Sequence, residues 1–227
     1  MLPNLSPDRK ETAMTTYLFG SQSAPNVLIQ PVDSHDLAFI EEEVRNIREM
    51  TDADFCLTAM KVADWNRDLS PWTAPPVFGN EGFGDGASAF LEEILKLYPD
   101  GRNCYIGGYS LAGLFALWAA YHTDRFSGVA AASPSVWFPG FADYMQANRI
   151  RSNAVYLSLG DREEKTRNPV MATVGDSIRK AEDILKSQGV RCTLEWNPGN
   201  HFRDADIRTA KAFAWVLNNT VPGGSSL

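Results

Sequence analysis

Ser110 stands where an apolar, β-rich run meets a helical pattern, in Cys104-Tyr105-Ile106-Gly107-Gly108-Tyr109-Ser110-Leu111-Ala112-Gly113. A strand that turns straight into a helix strains the backbone at the turn and lifts that side chain above the sheet. The residues two before and two or three after must then be small. Gly108, Ala112 and Gly113 meet that demand, although the usual pattern has glycine where this chain has Ala112. A serine so placed can attack an acyl carbonyl once a base takes its proton. The non-catalytic reading of the same residues is a tight turn with Ser110 as a helix N-cap.

The chain offers three histidines as the base: His35, His122 and His201. Where a serine sits on such a turn, the partners follow in the order serine, acid, histidine, which leaves His201. It lies in Asn197-Pro198-Gly199-Asn200-His201-Phe202, between the last predicted strand and the last helix. His122, near a helix C-terminus, is accounted for by the helix dipole. The acid must hold the imidazole in the tautomer that leaves Nε2 free, and Tyr156-Leu157-Ser158-Leu159-Gly160-Asp161-Arg162-Glu163-Glu164 supplies three carboxylates. The usual place, three residues after a glycine at the strand end, selects Glu163, with Asp161 second and Glu164 third. The remaining charges read as solvated or as partners of Arg162 and Lys165.

Two N–H donors must face the negative charge that develops on the substrate oxygen. Leu111, directly after the nucleophile, supplies one. The second falls in Gln30-Pro31-Val32-Asp33-Ser34, where Pro31 has no N–H and Val32 or Asp33 is left. His35 and Asp36 lack a third ligand for a metal, so a helix cap is their better reading.

The elements that must position these groups alternate along the chain. Strands are predicted over 27–32, 55–62, 104–108, 127–132, 154–159 and 191–196. Helices are predicted over 36–50, 87–98, 111–122, 141–148, 170–188 and 204–218. Such alternation argues for a mostly parallel sheet flanked by helices, because parallel strands need crossover connections. In open parallel sheets, ligands bind beyond the carboxyl ends of the strands, where Ser110, Glu163 and His201 all fall. The Trp-, Pro- and Gly-rich stretch 64–86 is longer than the roughly 12 to 15 residues usual for a structureless loop and reads as an ordered site wall. A single domain over 1–227 is expected, with 1–14 and 221–227 flexible.

Composition limits the partners. With 227 residues, 44% hydrophobic and 22% charged, the chain suits a globular protein; it lacks the run of about 20 apolar residues a spanning helix needs. Its 21 Lys plus Arg against 28 Asp plus Glu, a net charge of -7, argue against nucleic acid. Cys56, Cys104 and Cys192 show no metal-ligand spacing and read as reduced, buried hydrophobes. Charged residues Asp8 to Glu11 interrupt the N-terminus where a signal peptide would be apolar, so a cytoplasmic protein is expected.

Four segments together carry a family resemblance: Gly108-Tyr109-Ser110-Leu111-Ala112-Gly113, Trp65-Asn66-Arg67-Asp68-Leu69-Ser70-Pro71-Trp72, Ser133-Pro134-Ser135-Val136-Trp137-Phe138 and Gly199-Asn200-His201-Phe202. On these the chain resembles an esterase family of the α/β-hydrolase fold, the group of esterase D and the enterochelin-type esterases. The resemblance implies a serine hydrolase acting on carboxylic esters or thioesters, with Ser110 as nucleophile and His201 as base. It calls for no metal or organic cofactor, and some enterochelin-type members work with a serine and histidine alone. Trp72, Trp137 and Tyr109 would line the substrate pocket, with no lid domain over it. Two departures are Ala112 and the absence of a His-Gly pair near Gln30. Acyl transfer with the same groups, and a non-catalytic binding protein on the same fold, are the rival readings.

Overall fold

A computed structural model describes residues 14–77, 79–98 and 101–220. The predicted flexible ends lie outside the described residues, apart from Met14, which packs on the core. The strands are β1 (Thr16–Gly20), β2 (Asn26–Val32), β3 (Phe55–Lys61), β4 (Asn103–Tyr109), β5 (Phe126–Ala132), β6 (Ala154–Gly160) and β7 (Arg191–Asn197). The helices are α1 (Ser34–Met50), α2 (Trp65–Asp68), α3 (Ala87–Leu97), α4 (Leu111–His122), α5 (Phe141–Ala147), α6 (Val174–Ser187) and α7 (Ala205–Asn219). A single 3-10 turn, Met171–Thr173, leads into α6.

The strands form one seven-stranded sheet in the order β1-β3-β2-β4-β5-β6-β7, parallel except for β1 against β3. The order turns back between β2 and β4, so their following helices leave to opposite faces and a crevice opens between the two strand ends. Ser110 sits at that crevice. Strand β1 had no counterpart in the sequence reading. It is a short edge strand with Tyr17 and Leu18 exposed, so it carries little of the alternation that betrays a strand.

The period of two in each strand sorts the core into two layers. Val27 and Ile29 of β2, with Cys104 and Ile106 of β4, join α3, α4 and α6 on one face. Leu28 and Val32, with Tyr105 of β4 and Tyr156 of β6, join α1 and α7 on the other. Helix α4 is buried from Leu111 through Tyr121 and apolar all round, as befits a helix covered on every side. Helix α1 starts at Asp33, whose carboxylate accepts from the His35 and Asp36 N–H groups, while Asp36 closes the capping box.

Candidate active site

Ser110 has φ 57° and ψ -118°, a left-handed conformation that costs a non-glycine residue about 1–3 kcal/mol. Three backbone hydrogen bonds hold it there: its N–H donates to Ala132 O at 3.1 Å, and its carbonyl accepts from Ser135 at 3.0 Å and Leu114 at 3.1 Å. The small neighbours have a direct cause. A Cβ on Gly108 would lie 2.7 Å from the Ala112 Cβ, and one on Gly113 would lie 3.1 Å from Pro134. The methyl group of Ala112 thus fits because Gly108 has none.

His201 comes to Ser110 from the loop after β7. Its Nε2 lies 3.0 Å from Ser110 Oγ, and its Nδ1 lies 2.7 Å from Glu163 Oε2. A carboxylate only accepts, so the proton belongs on Nδ1 and Nε2 is left to accept from the serine. The other oxygen of Glu163, Oε1, accepts from the Gly160 N–H at 2.7 Å, the Ser133 hydroxyl at 2.9 Å and Arg208 Nη1 at 3.0 Å. Gly160 is required at this spacing, because a Cβ there would lie 2.9 Å from Glu163 Oε1.

The two other carboxylates do different work. Asp161 accepts from the Gly199 N–H at 2.8 Å and donates its own N–H to Asn197 O at 2.8 Å, which staples the β6 and β7 loops together. Glu164 pairs with Arg179 at 3.5 Å, away from the imidazole.

Burial alone would raise the Glu163 carboxyl, whose side chain is 5% exposed. The hydrogen bond and charge of His201 outweigh that, helped by Gly160 and Ser133, and hold it below its ordinary 4.5. A carboxyl depressed on folding adds stability above its unfolded value, and that stability is lost as pH falls through the folded value. Urea unfolding should therefore show wild type losing stability below about pH 4.5 more steeply than Glu163→Gln, which has no proton to take up there. Equal slopes would refute this account of the carboxylate.

Two residues at this centre had no assigned place beside the acid. Arg208, 1% exposed, reaches Glu163 and Tyr109 with Nη1 and the Pro198 and Asn200 carbonyls with Nη2 at 3.2 and 3.1 Å. It sits four residues before Ala212, on the buried stripe of α7, and a cation on an apolar stripe is the signal that marks it. Ser133, in a positive-φ turn (φ 40°), places its hydroxyl on Glu163.

Tyr109 departs from its predicted place in the substrate pocket. The alternation of β4 sends its ring to the α1 and α7 face, where its hydroxyl donates to His201 O at 2.8 Å and accepts from Arg208 at 2.9 Å. Burial, with Glu163 nearby, pushes its phenol up to about 12, so it remains a donor at neutral pH.

A cavity of about 480 Å³ opens beside Ser110 and His201, walled by Trp137, Leu159, Met171 and Val174, with Arg162 and Lys165 on its polar side. Trp137 falls where the sequence places it. Trp72 does not line this cavity: its indole N–H donates to Pro139 O at 2.9 Å, and its ring packs on Phe138 and Tyr144. The stretch 64–86 is likewise a buttress rather than a wall. It is closed by the Ala74–Phe83 bridge and presses Phe83 on Trp137 and Phe138. Of the N–H donors, that of Leu111 heads α4; that of Asp33 is committed to Asp36 Oδ2 at 3.2 Å, and Val32 is the buried last residue of β2, paired with Lys61 of β3, so the helix cap and the sheet hold both of the expected second donors. Among the described residues no group of His, Cys, Asp and Glu is arranged to hold a metal, and no helix is long and apolar enough to cross a membrane.

No family model and no curated protein sequence matches the chain. Solved structures do. An IroE-like serine hydrolase from Shewanella oneidensis matches with TM-score 0.71 at 14% identity, over 89% of this chain and 75% of that one. The siderophore hydrolase EstA from Aspergillus nidulans matches with TM-score 0.66 at 16% identity, over 96% and 99%. The enterobactin esterase FES from Shigella flexneri gives 0.61 at 14%, over 90% of this chain but 55% of its own. These likenesses define the class of fold. The chain is an α/β-hydrolase-fold protein.

Proposed function

We propose that this protein hydrolyses carboxylic esters through an acyl-enzyme, with Ser110 as nucleophile, His201 as base and Glu163 as the acid that orients it. The observation that carries the reading is the unbroken hydrogen-bonded line from Ser110 Oγ through both nitrogens of His201 to Glu163. The solved structures of similar fold support it, since they are named as serine hydrolases and esterases.

His201 Nε2 takes the serine proton as Oγ bonds to the ester carbonyl carbon. The resulting oxyanion is held by the N–H of Leu111. Nε2 then returns the proton to the departing alkoxide, which leaves as the alcohol. Water, deprotonated by the same nitrogen, releases the acid in a second pass. Arg208, Ser133 and Tyr109 are positioning residues: they fix Glu163 and the His201 loop and touch no reacting atom. The apolar wall of Trp137, Leu159 and Met171 receives the hydrocarbon part of the ester, and Arg162 and Lys165 favour esters that bear negative charge. The three cysteines are free thiols, and we place the protein in the reducing cytoplasm.

The purified protein should hydrolyse p-nitrophenyl acetate and butyrate and take up a fluorophosphonate on Ser110, located by peptide mass. A protein inert to both would be a binding protein on a hydrolase fold.

A further inference from the structure

On the other face of the sheet from the 480 Å³ cavity lies a second one, of about 180 Å³, between α1 and α7. Its floor is built from two buried polar side chains that the mechanism does not use. Gln30 is 3% exposed and lies between Leu28 and Val32 on the face of β2 that α1 and α7 cover; Glu43 is 4% exposed on α1. Gln30 Nε2 donates to Glu43 Oε2 at 3.3 Å, which leaves Gln30 Oε1 and Glu43 Oε1 buried with no partner among the described residues. A buried oxygen without a donor is destabilising, so the cavity favours an occupant that brings N–H or O–H groups.

The rim says what charge that occupant carries. Asp36 and Asp206 line the cavity and both act on Glu43; Asp204 stands beside them. Asp36 and Asp206 also answer the partial positive charge at the starts of α1 and α7, but no helix end accounts for Glu43, in the third turn of α1. Burial pushes the Glu43 carboxyl well above its ordinary range, and Asp36 and Asp206 push it further against the hydrogen bond from Gln30. A cation in the cavity would supply the counter-charge that Glu43 lacks. The rings of Phe39, Tyr109 and Phe202 complete the wall, and aromatic faces attract organic cations.

We infer that the cavity between α1 and α7 is a binding site for a small organic cation, an alkylammonium or guanidinium group, whose N–H groups fall on Gln30 Oε1 and Glu43 Oε1. Phe202, which follows His201 in the chain, lines both cavities. The cation arrives either as a free amine or as the ammonium end of an ester held at Ser110.

The test titrates n-butylammonium chloride into the protein, with sodium chloride at equal ionic strength as reference. The readout is the Gln30 side-chain amide in ¹⁵N–¹H spectra. A saturable shift, weakened at least about tenfold in Glu43→Gln and weakened less in Asp206→Asn, is expected for a cation that contacts Glu43 beneath an acidic rim. Glu43→Gln keeps the shape of the protonated side chain, so its fold is preserved, and Asp206→Asn alters only the rim. A shift no larger than that of sodium, or one unchanged in Glu43→Gln, would mean the cavity holds water alone and overturns the inference. A second arm compares p-nitrophenyl 6-aminohexanoate with p-nitrophenyl hexanoate. Binding together with a preference for the amino ester that Glu43→Gln abolishes assigns the site to the substrate's ammonium, and binding without preference assigns it to a free amine. The spectra are read whether or not the protein is an esterase.

Discussion

Ser110→Ala should lower the turnover of p-nitrophenyl butyrate by at least about 10³-fold and abolish fluorophosphonate labelling, while leaving KM nearly unchanged. The size follows from the site: among the described residues the hydroxyl partner of His201 Nε2 is Ser110, at 3.0 Å, and Ser135 meets the site through Ser110 Oγ, at 3.4 Å. Residual rate would come from the Leu111 N–H and binding alone. The same position makes a stability prediction of opposite sign for a different substitution. At φ 57° any side chain is strained, so Ser110→Ala keeps the cost and Ser110→Gly removes it. Glycine gives back part of that gain through its freer unfolded chain, which leaves Ser110→Gly about 1 kcal/mol more stable than Ser110→Ala in urea unfolding. An active Ser110→Ala protein would end the hydrolase reading. An unstable Ser110→Gly protein would mean that the turn is not strained.

Why these residues could be read from the chain, and others not, follows from the range of the interactions involved. The strand-to-helix turn at Ser110 is a local requirement, written in the small residues Gly108, Ala112 and Gly113, and so is the β/α alternation that puts strand ends on one edge. Gly160 is legible for the same reason: it must be bare because Glu163, three residues on, folds back over it. Arg208 and Ser133 meet Glu163 only across 45 and 30 residues of chain, and a spacing of that length leaves no pattern. Trp72 shows the converse failure. An aromatic in a Pro- and Gly-rich loop looks the same whether it lines a pocket or clamps Pro139, and which it does depends on how α5 packs. Tyr109 was misplaced for a simpler reason, since neighbouring residues at a strand end point to opposite faces.

Glu163→Gln should reduce kcat by about 10²- to 10⁴-fold, because the amide removes the negative charge that holds His201 in its working tautomer and stabilises the imidazolium formed in the reaction. Touching no substrate, it should leave KM little changed. Arg208→Met acts on the same centre from behind. It removes one of the donors on Glu163 Oε1 and the two contacts that pin Pro198 and Asn200, and breaking such a buried pair costs about 3–5 kcal/mol. A merely structural arginine would lower kcat by the same factor whatever stands at position 163. If Arg208 works by positioning Glu163, the two losses will not add: Arg208→Met should cost far less in the Glu163→Gln background than in wild type, by a coupling of about 1–3 kcal/mol in a kinetic double-mutant cycle. Arg208→Lys keeps the charge but gives up the forked contact, so it should restore part of the stability and leave the Pro198–Asn200 loop loose. Full additivity of the two kcat losses would reduce Arg208 to a packing residue and leave the orientation of His201 to Glu163 and Tyr109 alone.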